Sequence, residues 1–149
     1  HLWEAGEARL RVGVRRETPV DTEAALDGYA TLFAAARALA EHTAGGPWAA
    51  RADTLFERLD GRFWNEAVGQ YAHSVAPVLP GWPRIHTFRE HHHPAGQTHL
   101  LQTLPGYANQ ADAPPIVPLR LDKLRDAAGF VLPWGPEQYP ALLLALQPE

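Results

Sequence analysis

The sequence predicts a mainly α-helical protein built from helical hairpins, with one short β-hairpin after the first pair of helices. Two long segments carry apolar residues at steps of three and four, the spacing that places them on one face of a helix. Gly45 and Gly46 separate the segments, so the connection is short and the helices should pack antiparallel. Beyond them the chain becomes extended around a Gly-containing turn at Val68 and Gly69, which indicates the β-hairpin.

The first helix is expected over residues 19–42. Thr18 is suited to cap its first turn, Pro19 fits the first helical position, and Asp21 completes a capping box. The second helix is expected over 47–61, beginning at a proline. The apolar residues expected to face each other across the pair are Tyr29, Phe33, Leu55, Phe56 and Leu59.

The remaining segments have weaker patterns. Leu10, Val12 and Val14 alternate with arginines, which favours a half-buried edge strand within residues 1–16. The β-hairpin is expected around residues 64–71. A third helix is expected over 94–104, an irregular Pro- and Gly-rich stretch over 105–118, and closing helices over 119–128 and 137–146.

Composition excludes several classes of function. Lys plus Arg number 13 against 17 Asp plus Glu, a net charge of −4 that argues against nucleic acid and anionic membranes as partners. There is no cysteine, which excludes disulfides, thiol catalysis and Cys-ligated zinc. No apolar run approaches the ~20 residues of a membrane span and no secretory signal opens the chain, so we expect a cytoplasmic protein. Because residue 1 is not Met, we expect residues 1–149 to be one region of a longer chain.

Three segments together resemble one hairpin of the (α/α)6 toroids. They are Asp27-Gly28-Tyr29-Ala30 in the first helix, Pro47-Trp48 opening the second, and Arg62-Phe63-Trp64-Asn65-Glu66 before the turn. The similarity is to the C-terminal toroid of bacterial thioredoxin-domain-containing proteins related to the spermatogenesis-associated family, and N-acylglucosamine 2-epimerases share that architecture more distantly. His93-Pro94-Ala95-Gly96-Gln97-Thr98 is similar to the small-residue stretch that opens the next helix in those toroids.

The resemblance implies an incomplete toroid, the C-terminal part of a larger domain, with a cavity for a sugar-like small molecule and isomerase- or epimerase-like chemistry. The family's redox cysteines are absent here, so no redox role is implied, and no cofactor is expected. The alternative is a non-catalytic helical module for protein–protein assembly. The Leu-rich segment 142–146 favours burial against a partner, either the rest of a larger polypeptide or a second copy of the chain.

His86, His99 and Asp27 are the candidate catalytic residues. Each histidine has an apolar neighbour that could shift its pKa and suit it to act as a general base. Asp27 lies near the start of a helix whose N-terminal end would face a toroid's cavity. The alternatives are a hydrogen-bonded structural role for the histidines and simple helix capping for the aspartate.

Four aromatic residues are candidates for binding the ligand, because flat rings stack on sugar faces. They are Tyr29, Trp64, Tyr71 and Trp82. Packing in the core is the alternative for each of them.

His91 and His93 are candidate metal ligands. They alternate in an extended segment and so point to the same side, and either His86 or His99 is a candidate third ligand for zinc. The alternative, which we favour from the sequence, is a solvated histidine loop without metal, because no acidic residue is spaced to complete a site.

Overall fold

The computed structural model describes residues 3–4, 9–15, 18–19, 22–43, 46–77, 79–88 and 95–131, and in this part the chain is mainly helical, as predicted. The helices are α1 (Leu26–His42), α2 (Trp48–Phe63), α3 (Gly96–Ala108) and α4 (Ile116–Val131). The strands are two residues each: β1 (Trp3–Glu4), β2 (Arg9–Leu10), β3 (Val14–Arg15), β4 (Thr18–Pro19), β5 (Trp64–Asn65) and β6 (Gln70–Tyr71).

The first helix begins later than predicted. Thr18 and Pro19 form β4, antiparallel to β3, and α1 starts at Leu26 after Ala25, which makes no side-chain capping bond. The residues just before α1 are engaged elsewhere: Ala24 N–H donates to the Leu10 carbonyl at 2.8 Å. This strand-like pairing uses backbone groups that a longer helix would need, so it outweighs the capping signal at Thr18. Asp21 lies outside the described residues.

The strand expected within residues 1–16 is broken rather than continuous. Arg9 and Leu10 pair with β1, whereas Val14 and Arg15 pair with β4. Val12 stands between them and is 59% exposed, so the apolar alternation does not mark a single buried face.

Helices α1 and α2 form the predicted pair, and all five predicted facing residues are buried. Phe33 of α1 lies 5.9 Å from Phe56 of α2, measured between ring centroids, and both rings meet Tyr107 of α3 edge-on. The core therefore joins three helices through one aromatic cluster, and α2 extends to Phe63, two residues beyond the predicted end.

The β-hairpin is confirmed. Trp64 pairs with Tyr71 and Asn65 with Gln70, and Gly69 takes a positive φ of 71° in the turn. Glycine adopts that backbone conformation without steric cost. No helix runs through this segment.

The last two described helices are longer than predicted. Helix α3 continues past Pro105 to Ala108, because Leu104 and Tyr107 on either side of the proline are buried in the core. Helix α4 begins at Ile116 and holds Pro118 in its first turn, where a missing N–H costs nothing. The stretch 105–118 is therefore partly helical, and the predicted helix over 137–146 lies outside the described residues.

Helix α1 packs against both α2 and α3, and α3 packs against α4. Gly96 at the start of α3 contacts Asp27 in the first turn of α1, so these two helices begin at the same end of the molecule. We call this end the N-terminal pole of α1 and α3. The β-hairpin also lies here, because the Tyr71 N–H donates to the Gln97 side chain of α3 at 3.3 Å.

Candidate functional site

Asp27 lies at the centre of the N-terminal pole of α1 and α3. Its Oδ1 accepts a hydrogen bond of 2.7 Å from the backbone N–H of Gly96. A carboxylate in the first turn of one helix thus satisfies an unpaired N–H of another, and it also lies where both helix dipoles favour negative charge. Its side chain remains about one quarter exposed, at 26%.

His73 brings an imidazole to the same carboxylate. Its Nδ1 lies 4.0 Å from Asp27 Oδ1, and its side chain is 43% exposed. The backbone of His73 is held on both sides: its N–H donates to the Ile85 carbonyl at 2.7 Å, and its carbonyl accepts from Leu26 N–H at 2.9 Å. The pair is therefore an accessible carboxylate and imidazole on a fixed backbone, which is a combination able to bind hydroxyl groups and to move a proton.

An open cavity of about 370 Å³ adjoins Asp27 along the exposed side of α1. Its walls are mostly apolar, and Thr31 and Asp27 are the residues with polar side chains among those that line it. The lining residues are Leu10, Asp27, Gly28, Thr31, Leu32 and Ala35. Apolar walls with a few polar groups are typical of small-molecule sites.

His86 belongs to a different cluster, around the β-hairpin. Its Nε2 lies 3.2 Å from Asn65 Nδ2, and Asn65 Oδ1 accepts the Ala67 N–H at 3.2 Å. The Asn65 side-chain oxygen already accepts a hydrogen bond in the turn, so the NH₂ group of Asn65 faces the His86 ring. An NH₂ group can only donate, so His86 Nε2 accepts the hydrogen bond between them. Burial, with the nearby Arg84 charge, lowers the pKa of His86 from its ordinary value. The Nε2 atom of this histidine is therefore engaged with Asn65 within the protein.

The remaining candidate histidines are His99 and the two candidate metal ligands, His91 and His93. His99 is half-buried in the first turn of α3, where its N–H donates to the Ala95 carbonyl at 3.0 Å. His91 and His93 lie outside the described residues. Within the described ranges no group of three or more His, Asp or Glu side chains is arranged to hold a metal ion.

Tyr29 and Tyr71, two of the predicted ligand-binding aromatics, are fully buried. The Tyr29 hydroxyl donates to Glu23 at 2.8 Å and accepts from Leu10 N–H at 2.9 Å. The Tyr71 hydroxyl donates to Asp60 at 2.8 Å. Burial and the neighbouring carboxylate raise the pKa of both phenols. In this structure the two rings pack in the core.

Trp64 and Trp82 are more accessible. Trp64 packs edge-on against Tyr71 at 4.9 Å between centroids, and the Arg120 guanidinium lies over its ring at 4.0 Å. Its indole N–H donates to Glu66 at 2.6 Å. Trp82 is 65% exposed in a turn at Gly81, and neither indole lines the cavity beside Asp27.

The residue that sequence reasoning missed is His73. A partial signal existed, because His73 lies two residues after strand β6 and Asp27 lies near the start of α1. Spacing alone did not indicate it, since 46 positions separate the two residues along the chain (73 − 27).

Comparisons with protein-family models, with curated proteins and with solved structures give no match to this chain. Of the helices in the described ranges, none has the length and apolar character needed to cross a membrane. The site therefore has to be interpreted from its own geometry.

Proposed function

We propose that this chain is part of an (α/α)6-type toroid that binds a sugar-like small molecule at the N-terminal pole of α1 and α3. Two features of the fold support the architecture. Helices α1 and α3 begin at one pole and pack side by side, and each is followed by a helix that packs against it. This repeated hairpin arrangement is how such toroids are built.

The observation that carries the ligand proposal is that Asp27 lines an open cavity while the His73 ring lies 4.0 Å from its carboxylate. Most other carboxylates of the described core are committed to internal partners: Asp60 to Arg120, Asp53 to the Tyr107 hydroxyl, and Glu23 to Arg62. Asp27 instead reaches a cavity while it caps Gly96. A partly exposed carboxylate oxygen is a strong acceptor for sugar hydroxyls.

The same pair supports epimerase-like chemistry as the reaction. In that reaction a base removes the proton on the carbon next to a carbonyl of an open-chain sugar, and the proton returns to either face. His73 is the base in this proposal, and the Asp27 carboxylate lies 4.0 Å from its Nδ1. The assignment replaces His86, whose acceptor nitrogen is engaged with Asn65.

Calorimetric titration with neutral monosaccharides (glucose, mannose, fructose and N-acetylglucosamine) tests the binding step. Asp27→Asn keeps an oxygen that can accept the Gly96 N–H but loses the charge, so we expect it to weaken binding at least about tenfold. Asp122→Asn is the matched control, because Asp122 is exposed on α4 away from the cavity. Equal affinity of Asp27→Asn and the wild type, or no binding of any sugar, would contradict the proposal.

Proton exchange in D₂O tests the chemistry separately. We expect the sugar that binds to lose the NMR signal of the proton on the carbon next to its carbonyl (C2 of an aldose, C1 or C3 of fructose) in the presence of the protein, and His73→Gln to abolish this exchange. Binding without exchange would leave a ligand-binding site and contradict the reaction.

The non-catalytic assembly module is the second candidate function. It is favoured by one observation, an apolar surface of α1 and α2 on the side away from α3.

A further inference from the structure

A second cavity, of about 600 Å³, forms a groove between α1 and α2. Leu32 and Leu39 of α1 line it and are 36% and 39% exposed, and the Trp48 ring of α2 is half-buried beside them. The lining residues are Trp3, Leu32, Ala35, Ala36, Leu39, Trp48, Arg51, Thr54 and Leu55. We call this surface the α1–α2 groove.

The α1–α2 groove lies on a different side of α1 from the contact with α3. Phe33 and Arg37 of α1 contact Tyr107 of α3, at 5.4 Å between rings and 5.0 Å from guanidinium to ring. Around the axis of α1, Leu32 and Leu39 lie roughly a third of a turn away from Phe33 and Arg37. The contact with α3 therefore leaves the groove open among the described residues.

The edge of the groove that α2 forms is basic. Arg51 lines the groove, and Arg58, which is also exposed, lies seven residues further along the same face of α2, beyond the lining residues. The Arg51 guanidinium lies 4.7 Å from the Trp48 ring centroid, which holds the charge at the groove edge. This rim contrasts with the net charge of −4 on the chain as a whole.

We infer that the α1–α2 groove is the docking site of an amphipathic helix whose apolar side chains fill the groove and whose acidic side chains face Arg51 and Arg58. From Leu32 to Leu39 the groove runs along about two helical turns, the length over which a helix presents an apolar stripe at i, i+3, i+4 and i+7. A helix satisfies its own backbone hydrogen bonds, so it can enter an apolar groove without leaving polar groups unpaired. Arg51 and Arg58 attract a helix whose flanking side chains are acidic and repel one whose flanking side chains are basic.

Fluorescence anisotropy with two labelled peptides tests this inference on the full chain. Both are amphipathic peptides of about 18 residues with leucines at helical spacing, one with glutamates and one with lysines along the flank. We expect the glutamate peptide to bind at least about tenfold more tightly than the lysine peptide, and Arg51→Glu to reverse that preference.

Two variants of α1 locate the binding surface. Ala35→Glu places bulk and negative charge in the groove, whereas Ala38→Glu adds the same side chain at an exposed position of α1 that is not in its lining. We expect Ala35→Glu to lower the affinity for the glutamate peptide at least about tenfold and Ala38→Glu to leave it within about twofold. Circular dichroism of both variants checks that the helices are intact.

Three results would overturn the inference. The first is equal binding of the two peptides, and the second is an equal loss of binding in both alanine variants. The third is a wild-type chain that is dimeric by sedimentation, becomes monomeric in Ala35→Glu, and binds neither peptide, since the occupant would then be a second copy. Leu32 and Ala35 line both this groove and the cavity beside Asp27, whereas Arg51 lines the groove alone, so Arg51→Glu separates the two sites.

Discussion

The Asp27 carboxylate accepts a 2.7 Å hydrogen bond from the backbone N–H of Gly96, across 69 positions of sequence. The bond joins the first turn of α1 to the first turn of α3 at the closest approach of the two helices. A Cβ atom on Gly96 would lie 2.7 Å from the Leu26 side chain and 2.9 Å from the Asp27 backbone nitrogen. Gly96 and the Asp27 carboxylate therefore define how the α1–α2 helix pair meets the α3–α4 helix pair.

Replacing Gly96 with alanine should destabilise the protein. The new methyl group would overlap the backbone of α1, which cannot move aside as a flexible side chain can, so we expect a loss of about 1–3 kcal/mol in urea unfolding. Gly106→Ala in the same helix is the control, because a Cβ there meets nothing within 4 Å. That variant should gain up to about 1 kcal/mol from helix propensity. Equal effects of the two substitutions would argue against the close approach.

Truncation of the aromatic cluster should be costly. Phe33 and Phe56 are fully buried and each also contacts Tyr107, so Phe33→Ala or Phe56→Ala should lower the free energy of unfolding by about 3–5 kcal/mol. Leu119→Ala, at a position 58% exposed on α4, should change it by less than about 0.5 kcal/mol. A small loss at Phe33 would mean that the face of α1 is misassigned.

Arg120 should hold the β-hairpin against α4. Its guanidinium donates to both Asp60 oxygens, at 2.8 and 3.2 Å, and covers the Trp64 ring. Arg120→Lys cannot reproduce the two-pronged contact, so we expect a loss of about 1.5–3 kcal/mol by chemical denaturation. Glu66, the other partner of Arg120, has a side chain 71% exposed, so Glu66→Gln should cost less than Arg120→Lys. A larger loss of stability in Glu66→Gln than in Arg120→Lys would show that Glu66 rather than Asp60 is the main partner of Arg120.

The stability of the fold should depend on His86 in mildly acidic solution. Its pKa is lowered in the folded state by burial and by Arg84, so below its ordinary value of 6.5 the unfolded chain binds the proton more readily. The stability that the folded chain gains by keeping His86 unprotonated is therefore present above the ordinary pKa of histidine and is lost as the pH falls below it. We expect the wild type to lose more stability than His86→Gln between about pH 7.5 and about pH 5.5. An NMR titration that finds the His86 pKa at or above its ordinary value would contradict this.

The periodic elements were predictable from sequence because their signals are local. The aromatic and leucine spacing of α1 and α2 located the helix pair, and Val68-Gly69 located the hairpin turn. The start of α1 was not predictable, because backbone pairing between Leu10 and Ala24 overrides the capping residues at Thr18. Similarly, α3 continues beyond Pro105 because Tyr107 is buried in the core.

The candidate site was only half predictable. Asp27 was a candidate because of its place near a helix start, but the long-range contacts that give it Gly96 and His73 as neighbours leave no spacing pattern. Tyr29 and Tyr71 were expected at a ligand, yet both are buried and bonded to carboxylates. A tyrosine in a helix or strand has the same local pattern whether its hydroxyl meets a ligand or a buried acid.

NMR mapping of a bound monosaccharide tests the proposed site most directly. We expect a saturable titration to shift the His73 ring signals and the Gly96 amide, with smaller shifts at Thr31 and Leu10 along the cavity wall. Asp27→Asn should remove these shifts at the same sugar concentration. Shifts confined to the exposed Trp82 loop, or none at any residue of the N-terminal pole, would contradict the proposal that Asp27 and His73 form a sugar-binding site.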